Sequence, residues 1–169
     1  MTTDVKQAHI NLSGFLVLGR NRVRALSYVG TATAGTLVLF DTATAPVTSG
    51  VTYGRTSTTV TVTKTSHGLV TGDTVGIHFE GFPSATDGNY VITRVDANNF
   101  TLTDINTGSI TGSPAAVYVS GGGSWLLTYE SSATDIFNNS PDIPEDGVLA
   151  IKGVYAYMTD IAVANIYYG

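Results

Sequence analysis

Three histidines, thirteen carboxylates and eight basic side chains make up the titratable supply of this 169-residue chain, tyrosines and termini aside. Acid–base and nucleophilic chemistry needs such groups in convergent pairs. His67 stands before Gly68 at the end of an alternating run, with Asp73 its nearest acidic partner in sequence. A ring at that place also hydrogen-bonds to the turn that follows, and an architectural role is the reading preferred. His78, one residue from Phe79 and two from Glu80, is expected at the surface, and His9 is the remaining histidine. With no cysteine there are no disulfides, thiolate zinc sites or cysteine nucleophiles. No catalytic residue is assigned.

Asp142, Glu145 and Asp146 form the densest acidic group. Loop calcium sites need several oxygen ligands at tight spacing and a glycine for the sharp turn. Ser140 to Gly147 supplies three carboxylates and a glycine without the D-x-[DN]-x-[DN]-G order. Pro144-Glu145-Asp146-Gly147 reads better as a type I turn feeding a strand. Asp104-Ile105-Asn106 is a weaker cation candidate still, and no metal site is assigned. Gly30-x-x-x-x-Gly35 has the spacing of a phosphate loop, but Thr36 and Leu37 stand where Lys and Ser/Thr are needed, so it is expected to be a hairpin turn. Gly121 to Gly123 precedes nothing that reads as a helix N-terminus and is expected to be a hinge. No cofactor is expected.

Contact chemistry is better represented. Arg20, Arg22 and Arg24 are spaced by two, so a strand would project all three from one face, where their planar guanidinium groups suit the carboxylates of another chain. Tyr155, Tyr157, Tyr167 and Tyr168 crowd the last strands, and alternation puts Tyr167 and Tyr168 on opposite faces, leaving one for a neighbour. Arg20, Arg22, Arg24, Tyr167 and Tyr168 are therefore the candidate inter-subunit contacts. Tyr53, Tyr90 or Phe82 would serve if the middle of the chain stacked on sugar rings.

The elements that position these residues are strands. No long segment holds apolar residues at helical spacing, whereas Thr58–Thr65, Thr74–Phe79, Asn89–Val95 and Phe100–Thr103 alternate with a turn between each pair. Arg22–Val29, Thr36–Asp41, Trp125–Glu130, Val148–Ile151, Val154–Thr159 and Ala162–Tyr168 read as further strands. The two ends are aliphatic and aromatic, and the middle is rich in threonine. Ala45–Gly50 and Ser120–Ser124 read as paired hinges around an insertion at a hairpin tip, the place where insertions are tolerated. The expected fold is all-β: a β-sandwich base, jelly-roll-like or Ig-like, from residues 1–49 and 121–169, with a small antiparallel β-barrel or β-module inserted at 50–120. Excising the insert would leave Thr36–Asp41 and Trp125–Glu130 as one hairpin. Leu37, Leu39, Trp125, Leu127, Val154 and Ile166 are expected in the core of the base, and Val60, Val62, Val75, Ile77, Val91 and Phe100 in that of the insert.

Charged residues are 12% of the chain and the net charge is −5, well below the roughly 25% charge of an average domain. An acidic balance argues against general nucleic-acid binding. No apolar run approaches the about 20 residues of a membrane helix. Met1 to Asp4 leads into polar sequence, so no signal peptide is expected.

The order His67-Gly68-Leu69, Thr71-Gly72-Asp73, Asp87-Gly88-x-Tyr90, Asp96-Ala97-Asn98-x-Phe100-Thr101-Leu102 resembles a small β-module of bacteriophage virion proteins. That module is often likened to the β-half-domain beside the catalytic cysteine of ubiquitin-activating enzymes, a chemistry that a chain without cysteine lacks. In the base, A-L-S-Y at 25–28, T-A-G-T-L-V-L-F-D at 33–41, P-E-D-G-V-L at 144–149, G-V-Y-A at 153–156 and the terminal Tyr167-Tyr168-Gly169 resemble small structural proteins of marine podovirus-like phages. These resemblances imply a non-enzymatic virion protein, foremost a capsid decoration (cement) protein made in the host cytoplasm. Its partner would be the major capsid protein or another virion protein. A tail, adaptor or fibre-associated protein, or a receptor- or carbohydrate-binding module, is the alternative. Few charges and open strand edges point to a homo-oligomer, a trimer foremost. Residues 1–24 and the last strand are expected at its contacts, with Met1 to Asn11 held down by a symmetry mate or the capsid.

Overall fold

The computed structural model describes residues 4–136 and 138–169, and every regular element among them is a strand. The protein is all-β and sandwich-like, as the alternation predicts. It divides into two compact units, Met1–Ala45 with Leu126–Gly169, and Pro46–Trp125. The second unit reaches beyond residues 50 and 120 because both flanks are bonded into it. Val47 bridges Tyr118, and the Asn89 amide accepts from the Trp125 N–H at 2.7 Å and donates to the Trp125 carbonyl at 3.0 Å. No helix among the described residues is long and apolar enough to cross a membrane.

The first unit contains β1 (Lys6–Ile10), β2 (Gly14–Leu18), β3 (Asn21–Gly30) and β4 (Gly35–Asp41). After the second unit, with β5 to β11 described below, follow β12 (Ser124–Ser131), β13 (Asn138–Asn139), β14 (Val148–Ala150), β15 (Gly153–Thr159) and β16 (Ile161–Tyr168). One sheet runs β1-β16-β3-β13 with β14 also on β3, and the other runs β12-β4-β15-β2. Both contribute to one core, with Val23, Leu26, Ala164 and Ile166 from the first and Leu37, Leu39, Val154 and Ala156 from the second. The continuous apolar run Leu37–Phe40 is wholly buried, the pattern of a strand covered on both faces. β4 and β12 are neighbours, and Ser131 Oγ accepts the Gly35 N–H at 3.0 Å, so the end of β12 lies at the start of β4. Asp41, buried at the end of β4, accepts the N–H groups of Ile151, Lys152 and Gly153 at 2.9, 2.7 and 3.1 Å. One carboxylate thus satisfies the turn between β14 and β15.

Several expectations are corrected here. The Gly30–Gly35 segment is no hairpin turn, because β3 and β4 lie in different sheets. It is a crossover whose glycines admit close approach: a Cβ on Gly30 would meet the Asp135 carbonyl at 2.8 Å, and one on Gly35 would strike the carbonyls of Thr159 and Asp160. The N-terminal segment needs no symmetry mate from Lys6 to Ile10, since β1 pairs with β16 throughout, Lys6↔Tyr168 to Ile10↔Ala164. Met1 to Thr3 lie outside the described residues. The last strand is interior, between β1 and β3, and β1 takes the edge. Trp125 belongs to the second unit and is half-buried, and Leu127 packs only partly against the core of the first.

The second unit contains β5 (Val51–Thr56), β6 (Thr59–Lys64), β7 (Thr74–Phe79), β8 (Gly88–Val91), β9 (Thr93–Arg94), β10 (Asn99–Thr103) and β11 (Ala116–Val119). Its sheets run β5-β6-β10-β9 and β11-β7-β8. Tyr53, Val60, Val62 and Phe100 from the first meet Val75, Ile77, Phe79 and Tyr118 from the second in one core. The expected strand Asn89–Val95 is split between the two sheets. At the break, Ile92 exchanges backbone hydrogen bonds with the Gly72-Asp73 turn at 3.0 and 2.9 Å. The alternation runs on through the break, with Tyr90 packed against the core and Ile92 1% exposed on one face and Val91 67% exposed on the other, so Val91 is not a core residue.

Candidate functional site

At the end of the second unit where β7 and β10 finish, the loops 80–87 and 104–109 are cross-braced by buried polar groups. Arg55 on β5 shares the buried parity of Val51 and Tyr53 and forms an ion pair with Asp104, whose side chain is fully covered. Asp104 also accepts the N–H groups of Thr86 at 3.3 Å and Asn106 at 3.2 Å. Arg55 Nη2 donates to the Thr107 carbonyl at 3.4 Å, and the Asn106 amide donates to Thr86 Oγ1 at 2.9 Å. Burial alone would raise the Asp104 carboxyl, but the hydrogen bonds from Thr86, Arg55 and Asn106 outweigh it and hold it below its ordinary value. Tyr53 donates to the Glu80 carbonyl at 2.8 Å and Tyr90 to that of Thr86 at 2.6 Å. Burial, then the charges of Asp104 and Asp87, pushes the Tyr90 hydroxyl up to about 12.

His78 is not at the surface as expected but 2% exposed. Val75, Ile77 and Phe79 face the core, while the other face of β7 is covered too: by Ser124 and Trp125 over Gly76 and by Asp87 beside His78. His78 Nδ1 lies 2.7 Å from Asp87 Oδ2, and Asp87 Oδ1 accepts the Phe79 N–H at 2.8 Å. These pairs hold loop 80–87 at its root. From the braced loops two apolar side chains stand in solvent, Phe82 at 101% and Ile105 at 84% exposure.

The opposite end of the unit, where β7 and β10 begin, is built around His67. Its Nδ1 accepts the Leu69 N–H at 3.0 Å, which places the proton on Nε2, donated to the Asp96 carbonyl at 3.0 Å. The ring edge rests on Phe100 with centroids 5.3 Å apart. Both ring nitrogens are thus committed to the turn, and Asp73, the partner considered for acid–base work, instead accepts the Val70 N–H at 2.9 Å. Asp96 accepts from the Asn99 side chain and from the N–H groups of Asn98 and Asn99, which hold its carboxyl below the ordinary value. Around this turn Ser66, Gly68, Leu69, Val70, Arg94 and Ala97 line an open cleft of about 360 Å³. Arg94 is fixed by its Nε, which donates to the Asp96 carbonyl at 3.1 Å. Its two terminal nitrogens have no partner among the described residues. The cleft offers an apolar wall and a cation at its rim, suited to binding an apolar or aromatic group.

The candidate contact residues of the first unit are dispersed by the fold. Arg20 precedes β3 and is exposed without a partner among the described residues. Arg22 Nη1 donates to the carbonyls of Asp146 at 2.8 Å and Gly147 at 3.3 Å, and Arg24 Nη1 to Asp146 at 3.4 Å. Both clamp the Pro144–Gly147 turn, which a 2.6 Å bond from the Gly147 N–H to the Pro144 carbonyl closes. Tyr167 stands opposite Gln7 and Ala25, Tyr168 opposite Lys6 and Val23, and both are half-buried. Along the edge strand β2 lies a less polar surface. Leu12, Phe15 and Leu18 are 77, 41 and 65% exposed, and Ile151, beside the Gly19–Lys152 backbone bond, is 64% exposed. Among the described residues no three or more His, Asp or Glu side chains cluster so as to hold a metal ion.

The sequence reading missed the Arg55–Asp104 brace and the Ile105 tip. An arginine on the buried parity of a Val-x-Tyr-x-Arg strand was the available signal, since a charge there requires a partner. In comparison with family models, curated proteins and solved structures, the chain matches none.

Proposed function

We propose that the protein is a structural component of a phage virion, foremost a decoration (cement) protein that binds the assembled head as a homo-oligomer. The observation that carries this reading is the apolar edge of the first unit, Leu12, Phe15, Leu18 and Ile151 along β2. A strand edge of Phe-Leu-Val-Leu without charge or proline is a surface that proteins normally cover. The register shift between Val154 and Tyr155, opposite β2, is the one edge-blunting device on this strand. Binding through such a surface stabilises the shell by mass action, because the subunit has affinity for the lattice and not for free coat protein. Commitment of the His67, Asp73, Arg55 and Asp104 side chains to turns and braces supports a building role over an enzymatic one. A glycan-binding module is the weaker reading: of the three aromatics it would use, Tyr53 is 2% exposed and the Tyr90 hydroxyl is engaged by Thr86.

The test is co-sedimentation of purified protein with phage heads stripped of it. Leu18→Ser with Phe15→Ser should lower occupancy on the heads while leaving the β-type circular dichroism spectrum unchanged. Wild-type occupancy by the double variant would remove β2 as the contact. No binding by the wild-type protein would remove the decoration reading itself.

A further inference from the structure

We infer that the second unit carries a self-complementary knob and socket: Phe82 of one copy seats in the cleft beside Arg94 of another. The two features are each half of a contact. Phe82 is fully exposed, on a loop that Tyr53, Tyr90, Asp87 and Asp104 fasten in place. A side chain held ready by its surroundings loses little freedom on binding. The socket has the matching chemistry, with Leu69, Val70 and Ala97 as walls and the guanidinium of Arg94 at the rim. Its two terminal nitrogens are unpartnered among the described residues, and a guanidinium over a phenyl face is attracted by the ring quadrupole. Its volume, about 360 Å³, is ample for one ring, since an apolar cavity of about 150 Å³ already holds benzene.

The fold decides that this contact joins two copies. Loop 80–87 leaves the end of β7, and the cleft lies where β7 and β10 begin. Strand β7 runs six residues, and at about 3.3 Å per residue the two features stand roughly 17 Å or more apart. Phe82 therefore cannot reach its own cleft. Different patches on the two partners make the contact heterologous, the kind that closes into rings or runs on as a filament. Neither loop carries a Lys or Arg between residues 80 and 87 or 104 and 109, so anionic lipid is a poor occupant for the tip. The contact names the interface of the proposed homo-oligomer, but it is read on isolated protein and stands or falls apart from the particle.

The chain has no cysteine, which makes pairing chemistry clean. Protein carrying only Ser84→Cys, which keeps Phe82 at the tip, is mixed with protein carrying only Val70→Cys under mild oxidation by diamide, alongside each variant alone. The mixed disulfide should form faster than either homodisulfide. In parallel, light scattering over a concentration series should show wild-type self-association that Phe82→Ser weakens about tenfold or more. A wild-type monomer at all concentrations overturns the inference. So does a mixed disulfide no more abundant than chance, or a homodisulfide between two tip-loop cysteines that dominates, which would mean tips meeting tips. Unchanged self-association in Phe82→Ser, with loss of binding to phosphatidylcholine vesicles, would assign the tip to lipid and equally overturn it.

Discussion

Replacing Asp104 by Ala should cost the second unit about 3–5 kcal/mol, the range for removing one partner of a buried ion pair. The structure indicates where that energy goes. Among the described residues, Arg55, 7% exposed, would keep its charge with only the Thr107 carbonyl to face, and its Nε already lacks a partner there. The N–H groups of Thr86 and Asn106 would lose their acceptor as well, each hydrogen bond being worth about 0.5–1.5 kcal/mol net. Urea unfolding followed by tryptophan fluorescence reads this directly, because the single tryptophan, Trp125, lies in the second unit. Asp104→Asn, which keeps an acceptor, should cost less than Asp104→Ala. The double variant Arg55→Met/Asp104→Leu should cost less than Asp104→Ala alone, since no charge is left stranded. A loss below about 1 kcal/mol for Asp104→Ala would mean the pair is solvated and braces nothing.

In the first unit, Leu39→Ala should destabilise by about 2–5 kcal/mol, because Leu39 is wholly buried and its site has little room to collapse; calorimetry checks it. Gly76→Ala should abolish the native fluorescence of Trp125, since a Cβ would strike the backbone of Ser124 and Trp125; a folded variant would show that this face of β7 is open. The depressed Asp104 carboxyl stabilises the fold fully above its unfolded value of 3.8 and progressively less as pH falls through its lower folded value. Acid melts of the wild type should therefore steepen below about pH 4, and Asp104→Asn should flatten that limb. The Tyr90 hydroxyl, pushed up to about 12 from 10.0, acts in the opposite direction: its contribution is complete below pH 10 and disappears as pH rises through 12. Absorbance titration should lose its latest-ionising phenol in Tyr90→Phe.

How far the sequence can be read is shown by particular residues. Strict alternation made β6 legible, because a strand with one buried face writes a period of two into its composition. The unbroken run Leu37–Phe40 marked a doubly covered strand in the same way. Asn89–Val95 misled because both of its faces carry apolar residues, Tyr90 and Ile92 against Val91 and Val95, and only the tertiary partner at Gly72-Asp73 shows which face turns inward. His78 misled because the second face of β7 is covered by Asp87 beside His78 and by Ser124 and Trp125 over Gly76, which the strand's own sequence does not announce. Arg22 and Arg24 were legible as a shared face, but Arg20 falls before the strand, and the partners of the other two, the Asp146 and Gly147 carbonyls, are backbone atoms that no residue type announces. Isolated exposed residues carry no periodic signal, so Phe82 stood out only by its residue type, and Ile105 and the brace behind both tips stayed hidden.

The proposal of residence in a virion as a structural component is tested most directly by quantitative mass spectrometry of density-purified particles of the phage that, on this proposal, encodes the chain. The account predicts this polypeptide in fixed, multiple copies relative to the major capsid protein, retained through repeated purification. Its absence from purified particles, with the protein recovered only from the soluble fraction of infected cells, would contradict it.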